Sequence, residues 1–190
     1  MNRNDSIPTD SPAAPSSARL AFEAITAAHA PLLYDDFLDK RIYEFLPFDA
    51  HASIDVLQAT YTRWSTMRSP DGLETWLNWA LRLHESGVYV GTVQATLDSD
   101  RSATLAYIIF PRFWRSGFGR EGVRELVRFL FTECDVAYVR ANLDSRNTAS
   151  LRLVESLHFS CEGLTKNADH FKGSASDEYH FILRDRALSE

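Results

Sequence analysis

The sequence is short of the features that mark membrane, secreted and metal-binding proteins. No apolar run approaches the roughly 18 residues that a membrane-spanning helix needs, and the N-terminus lacks the basic-then-apolar layout of a signal peptide. The two cysteines, Cys134 and Cys161, belong to no C-x-x-C pair, which argues against a zinc site and a disulfide framework and favours two buried thiols. These absences predict a cytoplasmic protein that binds no membrane.

Basic residues are also fewer than acidic ones, 20 against 26. The formal net charge of -6 disfavours a protein that holds nucleic acid through its surface field, and it is more compatible with a cationic substrate. The 190 residues are 45% hydrophobic and 24% charged, which is the ordinary globular mix. A chain of this length fits one domain with its own core.

Composition and periodicity divide the chain into a leader and one domain. Residues 1–18 are rich in Ser, Pro, Ala and Asp with almost nothing to bury, which predicts a disordered leader before a domain at 19–186. The domain alternates between period-two and helical patterns without an internal repeat, as an α+β chain does. The predicted elements are a strand at 19–25, helices at 26–39 and 52–67, strands at 76–84, 88–96 and 103–110, a long helix at 117–133, a strand at 136–143, a helix at 147–157, and strands at 159–164 and 179–183. The first helix is expected to bury Leu32, Leu33 and Phe37.

The most informative stretch is AYIIFPRFWRSGFGREGVREL, residues 106–126. A β-branched strand runs into a short loop with Gly117 and Gly119, and a long amphipathic helix begins at once. Backbone amides at the helix start therefore point into one concavity that the glycines leave open, flanked by Arg115 and Arg120. This predicts a site for phosphate groups. No Gly-Lys-Ser/Thr follows, which disfavours a Walker site, and the third glycine of a dinucleotide fingerprint is missing.

A second stretch, NTASLRLVESLHFSCEG at 147–163, predicts a capped helix. Asn147 is suited to be its N-cap. Ser150 falls at the third helical position, where a capping box would use Glu or Gln, so its hydroxyl is free for another role. The histidines show no i, i+4 pair and no acidic partner at metal spacing, so no metal is predicted.

These two stretches resemble the GNAT N-acetyltransferases. The loop WRSGFGREG is similar to their acyl-CoA pyrophosphate loop, Gln/Arg-x-x-Gly-x-Gly/Ala. The run AYIIFPRFWRSGFGREGVREL is similar to the Tyr-x-x-x-Pro-x-x-Trp-x-x-Gly form of the ribosomal-protein alanine acetyltransferase (RimJ/RimL-like) branch. Asn147 and Ser150 match the Asn-x-x-Ser of that branch, and LVESLHFSCEG matches its Leu-Glu-x-Leu-Gly-Phe-x-x-Glu-Gly.

The resemblance covers residues 19–183, is specific only over 106–163, and implies both a fold and a co-substrate. The fold is the α+β GNAT fold, a mixed and mostly antiparallel sheet flanked by helices, and the co-substrate is acetyl-CoA. By resemblance, the strand end binds the pantetheine arm, one of its amides stabilises the oxyanion, and the loop amides hold the pyrophosphate. The residues concerned are Ile108, Ile109 and Phe110 on the strand, Arg115, Ser116, Gly117, Phe118, Gly119 and Arg120 in the loop, and Asn147 and Ser150 on the later helix.

The resemblance also implies a proton donor and a base. Ser150 is the matched donor to the leaving thiol, whose pKa is about 8.5. The run EGLTKNAD resembles the Glu-Gly-x-x-Lys-x-Ala-acid run that supplies a carboxylate, which makes Asp169 the first candidate for the base. Glu44, in the aromatic connector RIYEF, and His170 are the alternatives, and Asp177 is expected to hold the last turn.

One departure from the pattern bears on local structure, and the acceptor stays open. His158 stands where the branch has glycine before Phe159, which predicts a different turn. The acceptor is a primary amine, either a protein N-terminus or a small molecule, and a homodimer is a further option. Two alternatives remain: a catalytically silent CoA-binding module, and acetylation of an antibiotic or a polyamine.

Overall fold

The computed structural model describes residues 14–184 and shows the predicted α+β architecture. Seven strands form one sheet in the order β1-β2-β3-β4-β5-β7-β6, and β4 and β5 run parallel while the other neighbours are antiparallel. The strands are β1 Leu20–Ala24, β2 Thr75–Leu83, β3 Tyr89–Leu97, β4 Ser102–Ile109, β5 Tyr138–Asp144, β6 Ser160–Phe171 and β7 Ser174–Arg184. The helices are α1 Ala30–Phe37, α2 Ile54–Trp64, α3 Phe118–Glu133 and α4 Thr148–Ser156, with 3-10 turns at Ala27–His29, Lys40–Tyr43 and Pro111–Phe113.

The two faces of the sheet carry separate cores because apolar side chains alternate along the strands. On one face, α3 packs against Leu81 and Val93, α4 lies against β5 and α3, and Phe129 meets Trp79 edge-on at 5.4 Å between ring centroids. On the other face, α1 and α2 bury a smaller cluster, which includes Tyr61 and Phe110. No helix within residues 14–184 is both long and apolar enough to cross a bilayer.

Gly91 lets β3 and β4 approach each other closely where the two strands meet near the loop. A Cβ atom at this position would lie 2.0 Å from the backbone oxygen of Ile108. Any side chain larger than hydrogen would therefore push the strands apart. This close contact fixes the end of β4, which is the part of the strand that leads to the phosphate-binding loop predicted from the sequence.

Three expectations about burial and element length were wrong. Leu32 is 58% exposed, because the inner face of α1 is formed by Leu33 and Phe37 instead. Cys161 is exposed at the start of β6, whereas Cys134 is half-buried and its pKa is raised to about 11 by burial. The last two strands form a much longer hairpin than the two short predicted strands, because their outer halves are polar and carry no apolar alternation.

The described part of the predicted leader, residues 14–18, contacts the domain. Residues 1–13 lie outside the described part of the chain, but Pro15 is buried and Ser16 bridges to Ala21 of β1. The Ser17 hydroxyl donates to the carboxylate of Glu121 on α3 at 2.7 Å. Contacts with the domain therefore begin before Arg19, the predicted first residue of the domain.

Candidate active site

The parallel strands β4 and β5 diverge and open a cleft in the middle of the sheet. They pair over three residues, from Ser102 opposite Tyr138 to Thr104 opposite Arg140. Beyond that point β4 still pairs with β3, and β5 still pairs with β7. The last five residues of β4 consequently have a free backbone edge that faces β5, where a ligand can bind to the main chain.

The backbone of β4 alternates between its two neighbours, and this decides which groups face the cleft. The Phe110 amide donates to Val90 O at 2.9 Å, on the β3 side. Alternate residues of β4 bond to β3. Ile109, which precedes Phe110, therefore turns its backbone N–H and C=O to the cleft, and so does Tyr107. The Ile109 carbonyl already accepts a hydrogen bond from the Trp114 indole at 2.6 Å. Of the three residues predicted to bind pantetheine through the main chain, Ile109 is the one whose backbone is turned to the cleft.

The N-terminus of α3 lies at the end of this cleft with its first amides unpaired. Gly117 is the N-cap in a left-handed conformation, φ 81°, and Arg115 is also left-handed, φ 61°. The first helical hydrogen bond runs from Glu121 N to Gly117 O. Within the described part of the chain, no acceptor faces the amides of residues 118–120, and no side chain caps the helix. Unpaired amides at a helix start are a ready anion site, because they add to the positive end of the helix dipole.

Two side chains that the sequence reasoning missed hold this loop in place. Glu121 is 8% exposed and its carboxylate accepts from the Arg19 amide at 2.9 Å and from Arg19 Nε at 2.6 Å. The other end of the Arg19 guanidinium donates to Ser116 O at 3.1 Å and lies over the Phe118 ring. Burial acts to raise the pKa of Glu121, but the hydrogen bonds from Ser17 and Arg19 outweigh it and the pKa is lowered.

The presence of Glu121 in the sequence is the signal that could have predicted the Arg19–Glu121 pair. A carboxylate in the first turn of a helix that binds phosphate would repel the ligand unless a cation neutralised it. The sequence therefore calls for a basic partner for Glu121. It does not say which one, because Arg19 is 102 positions away.

Helix α4 places Ser150 beside the cleft with a free hydroxyl. Asn147 is the N-cap, as predicted, and its side-chain oxygen accepts from Ser150 N at 3.1 Å. The Ser150 hydroxyl forms no hydrogen bond with the described residues. The Arg120 side chain bonds to the Ser156 hydroxyl and carbonyl at 3.1 and 3.2 Å. Arg120 therefore ties α3 to α4 through its side chain, and its backbone amide is the group that faces the anion site.

The candidate bases lie near the C-terminal end of β5, at Asp144. Asp169 is exposed on β6 opposite Ser176, whose hydroxyl donates to Asp144 at 2.7 Å. Glu44 is exposed in the connector after α1 and is close enough to contribute to the raised pKa of the Arg146 guanidinium, which is chiefly due to Asp144. The structure thus gathers Asp169 and Glu44 around the Asp144–Arg146 pair.

The β6–β7 hairpin contacts the connector that follows α1. The Lys172 ammonium, at the tip of the hairpin, donates to Tyr43 O and lies 3.6 Å from Asp49. His170 is exposed and the structure gives its side chain no hydrogen-bonding partner among residues 14–184. Asp177 accepts from Asn167 N at 2.8 Å, so its carboxylate holds the irregular part of β6 and not the final turn that the sequence suggested.

His158 corrects a further expectation about local structure. It adopts the left-handed conformation, φ 64°, that glycine would adopt after a helix. The Phe159 amide donates to Val154 O at 3.1 Å, which is the long hydrogen bond of a Schellman motif. The predicted different turn is therefore wrong: the turn that suits glycine is kept with histidine in it.

A small pocket lies apart from the cleft. It has a volume of about 100 Å³ and is lined by Trp64 and Trp76 together with Asn78, Gln94, Ala95 and Thr96. It lies over β2 and β3, not between β4 and β5. No group of three or more His, Cys, Asp or Glu residues suited to a metal ion occurs between residues 14 and 184.

The family model of the GNAT acetyltransferase domain matches residues 19–160, which include the cleft, the loop and α4. The chain belongs to the GNAT acetyltransferase family. This membership places it among the acyltransferases, and the observed mixed sheet is the GNAT fold that the resemblance implied. A curated relative, the uncharacterized N-acetyltransferase p20 of Bacillus licheniformis, is 33% identical over 84 residues, 44% of this chain. The matched region spans about half of that relative, 47% of its length.

Solved structures of GNAT proteins share the whole architecture. Spermidine N-acetyltransferase from Vibrio cholerae, solved in complex with CoA and spermine, has a TM-score of 0.77 and 17% identity over 90% of this chain and 98% of its own. An acetyltransferase from Salmonella typhimurium that modifies the N-terminal serine of the ribosomal protein L7/L12 has a TM-score of 0.77 and 16% identity, over 88% of this chain and 96% of its own. At such identities the likeness establishes the fold.

Proposed function

We propose that this protein is an N-acetyltransferase that transfers the acetyl group of acetyl-CoA to a primary amine. The observation that carries the proposal is the free backbone edge of β4 that leads directly to the unpaired amides at the start of α3. A pantetheine arm needs main-chain partners along its length, and a diphosphate needs several donors at one end. The cleft offers both in the right order, with Ile109 beside the arm and residues 118–120 beside the diphosphate.

The proposed reaction is direct transfer through a tetrahedral intermediate. The amine nitrogen attacks the thioester carbon, and the carbonyl oxygen becomes an oxyanion that a cleft-facing amide of β4 stabilises. The C–S bond then breaks, and the thiolate takes a proton from the Ser150 hydroxyl, which regains one from solvent. The attacking nitrogen loses its extra proton to a base, so the products are the acetylated amine and CoA thiol.

We propose Asp169 as the base and Glu44 as the alternative. Both are exposed carboxylates beside the Asp144–Arg146 pair at the end of β5, and Lys172 of the β6–β7 hairpin contacts the connector that carries Glu44. An α-amine titrates near 7.7–8.0, so a carboxylate acting through water is sufficient for it, whereas an amine near 10.4 needs more help. The variants Asp169→Asn and Glu44→Gln distinguish the two candidates, because the variant that removes the base should show the larger loss of kcat at neutral pH.

We propose a primary amine as the acceptor, supported by Glu44 and Asp169 and by the relatives. One structural neighbour is named for spermidine and another for a protein N-terminus, so a primary amine is the common feature. Glu44 and Asp169 favour a cationic acceptor. Polyamines are therefore a second candidate beside protein N-termini, and a mass-spectrometric screen against both classes distinguishes them.

Binding of the co-substrate is tested at Gly117, where Asp and Asn differ only in charge and both tolerate a left-handed backbone. Acetyl-CoA at about 100 times its Kd should raise the Tm of the unaltered protein by about 5–10 °C. Gly117→Asp should abolish most of this shift, because it adds a negative charge at the start of α3, beside Arg19 and the unpaired amides, and Gly117→Asn should retain most of it. Equal shifts in the two variants would refute the loop assignment.

Turnover is a separate question from binding. A silent CoA-binding module would show the thermal shift but release no thiol with any amine. Thiol release in the acceptor screen, reduced by Ser150→Ala, is the expected result, and its absence with every acceptor would favour the silent module.

A further inference from the structure

Two side-chain hydroxyl groups are buried without a hydrogen-bonding partner in the described part of the chain. They belong to Tyr61 on α2 and Tyr107 on β4. A buried hydroxyl ordinarily finds a partner, because leaving it unpaired forfeits its hydrogen bonds to water. Phenylalanine would fill the same space without that cost. An unpaired phenol therefore calls for an explanation at each position.

The two tyrosines lie on opposite faces of the sheet. Tyr61 packs in the small cluster under α1 and α2, with Trp64 at 5.6 Å between ring centroids. Tyr107 packs against the cluster under α3 and α4, two residues before Ile109 on the free edge of the cleft. Tyr107 is also the first residue of the Tyr-x-x-x-Pro pattern, and the proposed reaction gives it no role.

The neighbour of the Tyr107 hydroxyl is Ser150. Burial raises the pKa of Tyr107 to about 12, and the nearby Ser150 hydroxyl acts in the opposite direction. The phenol therefore stays protonated at neutral pH and is available as a hydrogen-bond donor. The two hydroxyls lie near each other, but the Tyr107 hydroxyl forms no hydrogen bond in the described part of the chain.

We infer that the Tyr107 hydroxyl positions Ser150 for proton transfer once the thioester is bound. The phenol donates its hydrogen bond to Ser150 Oγ, which leaves the serine proton directed at the sulfur. When the C–S bond breaks, that proton moves to the thiolate, and Tyr107 keeps its own proton throughout. Tyr107 is thus a positioning residue. This inference rests on the proposed acetyl transfer and adds to it the group that orients the donor.

The structure provides a matched control for the test. Tyr107→Phe and Tyr61→Phe each remove one buried, unpaired hydroxyl and leave the ring in place. Each variant should have a Tm at or above that of the unaltered protein, because a desolvated and unpaired group has been removed. Their effects should differ only in the presence of acetyl-CoA, since Tyr107 alone gains a partner in the loaded site.

Three measurements on the full chain test the inference. The Tm shift induced by acetyl-CoA should be smaller in Tyr107→Phe than in Tyr61→Phe. The kcat should fall about tenfold in Tyr107→Phe, with a smaller rise in KM, and should not change in Tyr61→Phe. In a Ser150→Ala background, Tyr107→Phe should have no further effect on either quantity, because it acts through the serine.

The outcomes separate this inference from the proposed function. Equal behaviour of the two Phe variants would overturn it, as would additive losses for Tyr107→Phe and Ser150→Ala. A rise in KM with unchanged kcat would assign the phenol to the pantetheine arm instead. If the protein turns over no amine, the proposed function fails, and the ligand-induced Tm shifts still decide whether Tyr107 and Ser150 are coupled.

Discussion

At the scale of single residues, the ends of the functional elements use left-handed backbone conformations that glycine adopts most readily. Gly117 supplies one at the start of α3, and Arg115 and His158 supply two more without being glycine. A non-glycine residue in this region crowds its Cβ against a carbonyl oxygen, which costs about 1–2 kcal/mol. The Schellman hydrogen bond from Phe159 to Val154 and the burial of Phe159 compensate for that cost at His158.

Replacing His158 with glycine should therefore stabilise the protein. His158→Gly relieves the crowding, and part of the gain is offset by the greater freedom of glycine in the unfolded chain, so the expected increase is about 0.5–1 kcal/mol. His158→Ala retains the crowding and serves as the control. Urea unfolding of both variants measures the difference. A destabilised His158→Gly would mean that the imidazole makes a contact of its own.

At the scale of elements, the site depends on how closely neighbouring segments approach. Gly91 brings β3 against the end of β4, and Gly119 brings α3 against α4, where an added Cβ would lie 3.0 Å from Leu153 Cδ1. The two contacts differ in kind. The neighbour of Gly119 is the end of a flexible side chain and can move, whereas the neighbour of Gly91 is the backbone of Ile108.

Gly91→Ala should consequently be severely destabilising. With a Cβ 2.0 Å from Ile108 O, the strands must separate, and we expect a loss of about 3 kcal/mol or more in the free energy of unfolding. Gly163→Ala is the control, because nothing lies within 4 Å of its Cβ and its φ is not positive. The control should change stability by less than about 1 kcal/mol. Comparable losses in both variants would show that the close approach is not what matters.

The elements differ in how far the sequence could predict them, and the reason is physical. The long helix and the three-strand meander have strong apolar periodicity and were predicted within a few residues. The outer half of the β6–β7 hairpin is polar and exposed, so only backbone hydrogen bonds define it. Such bonds do not depend on the type of side chain and cannot be predicted from the pattern of apolar residues. At the site, glycine and arginine pointed to the loop whose amides are unpaired at the start of α3. The pairing of Glu121 with Arg19 could not be predicted, because it joins residues that are 102 positions apart.

At the scale of the whole molecule, Asp144 joins three parts of the C-terminal half. It ends β5, pairs with Arg146 at 2.5 Å in the loop before α4, and accepts from Ser176 of β7. The Arg146 hydrogen bonds, opposed by burial and supported by Ser176, lower the pKa of Asp144 to about 2. Because the folded pKa is depressed, the unfolded chain binds the proton more readily, and this carboxylate stabilises the fold wherever it is ionised.

Acid should remove this contribution within a defined range. It is fully present above the ordinary value of 3.8 and is lost as the pH falls toward about 2, and it amounts to about 2 kcal/mol. Asp144→Asn should therefore be less stable at pH 7 and should lose less on acidification than the unaltered protein. Urea midpoints from pH 7 to pH 2 measure both. Asp100, whose pKa is also lowered to about 2, contributes equally to the two proteins. Parallel pH profiles would contradict the prediction.

The three paired residues that join β4 to β5 act mechanically as a pivot. From Thr104 to Ile109 the free arm of β4 spans about 16 Å at the usual rise of a strand. A rotation of only about 3° at the pivot would move the tip of that arm by about 1 Å, a displacement that can change a rate about a hundredfold. Helices α3 and α4, joined through Arg120 and Ser156 and tied to the start of β1 through Arg19 and Glu121, therefore brace the two arms as well as bury the core. Substitutions at these clamps, far from the sulfur, should alter the reaction rate through the spacing of the arms.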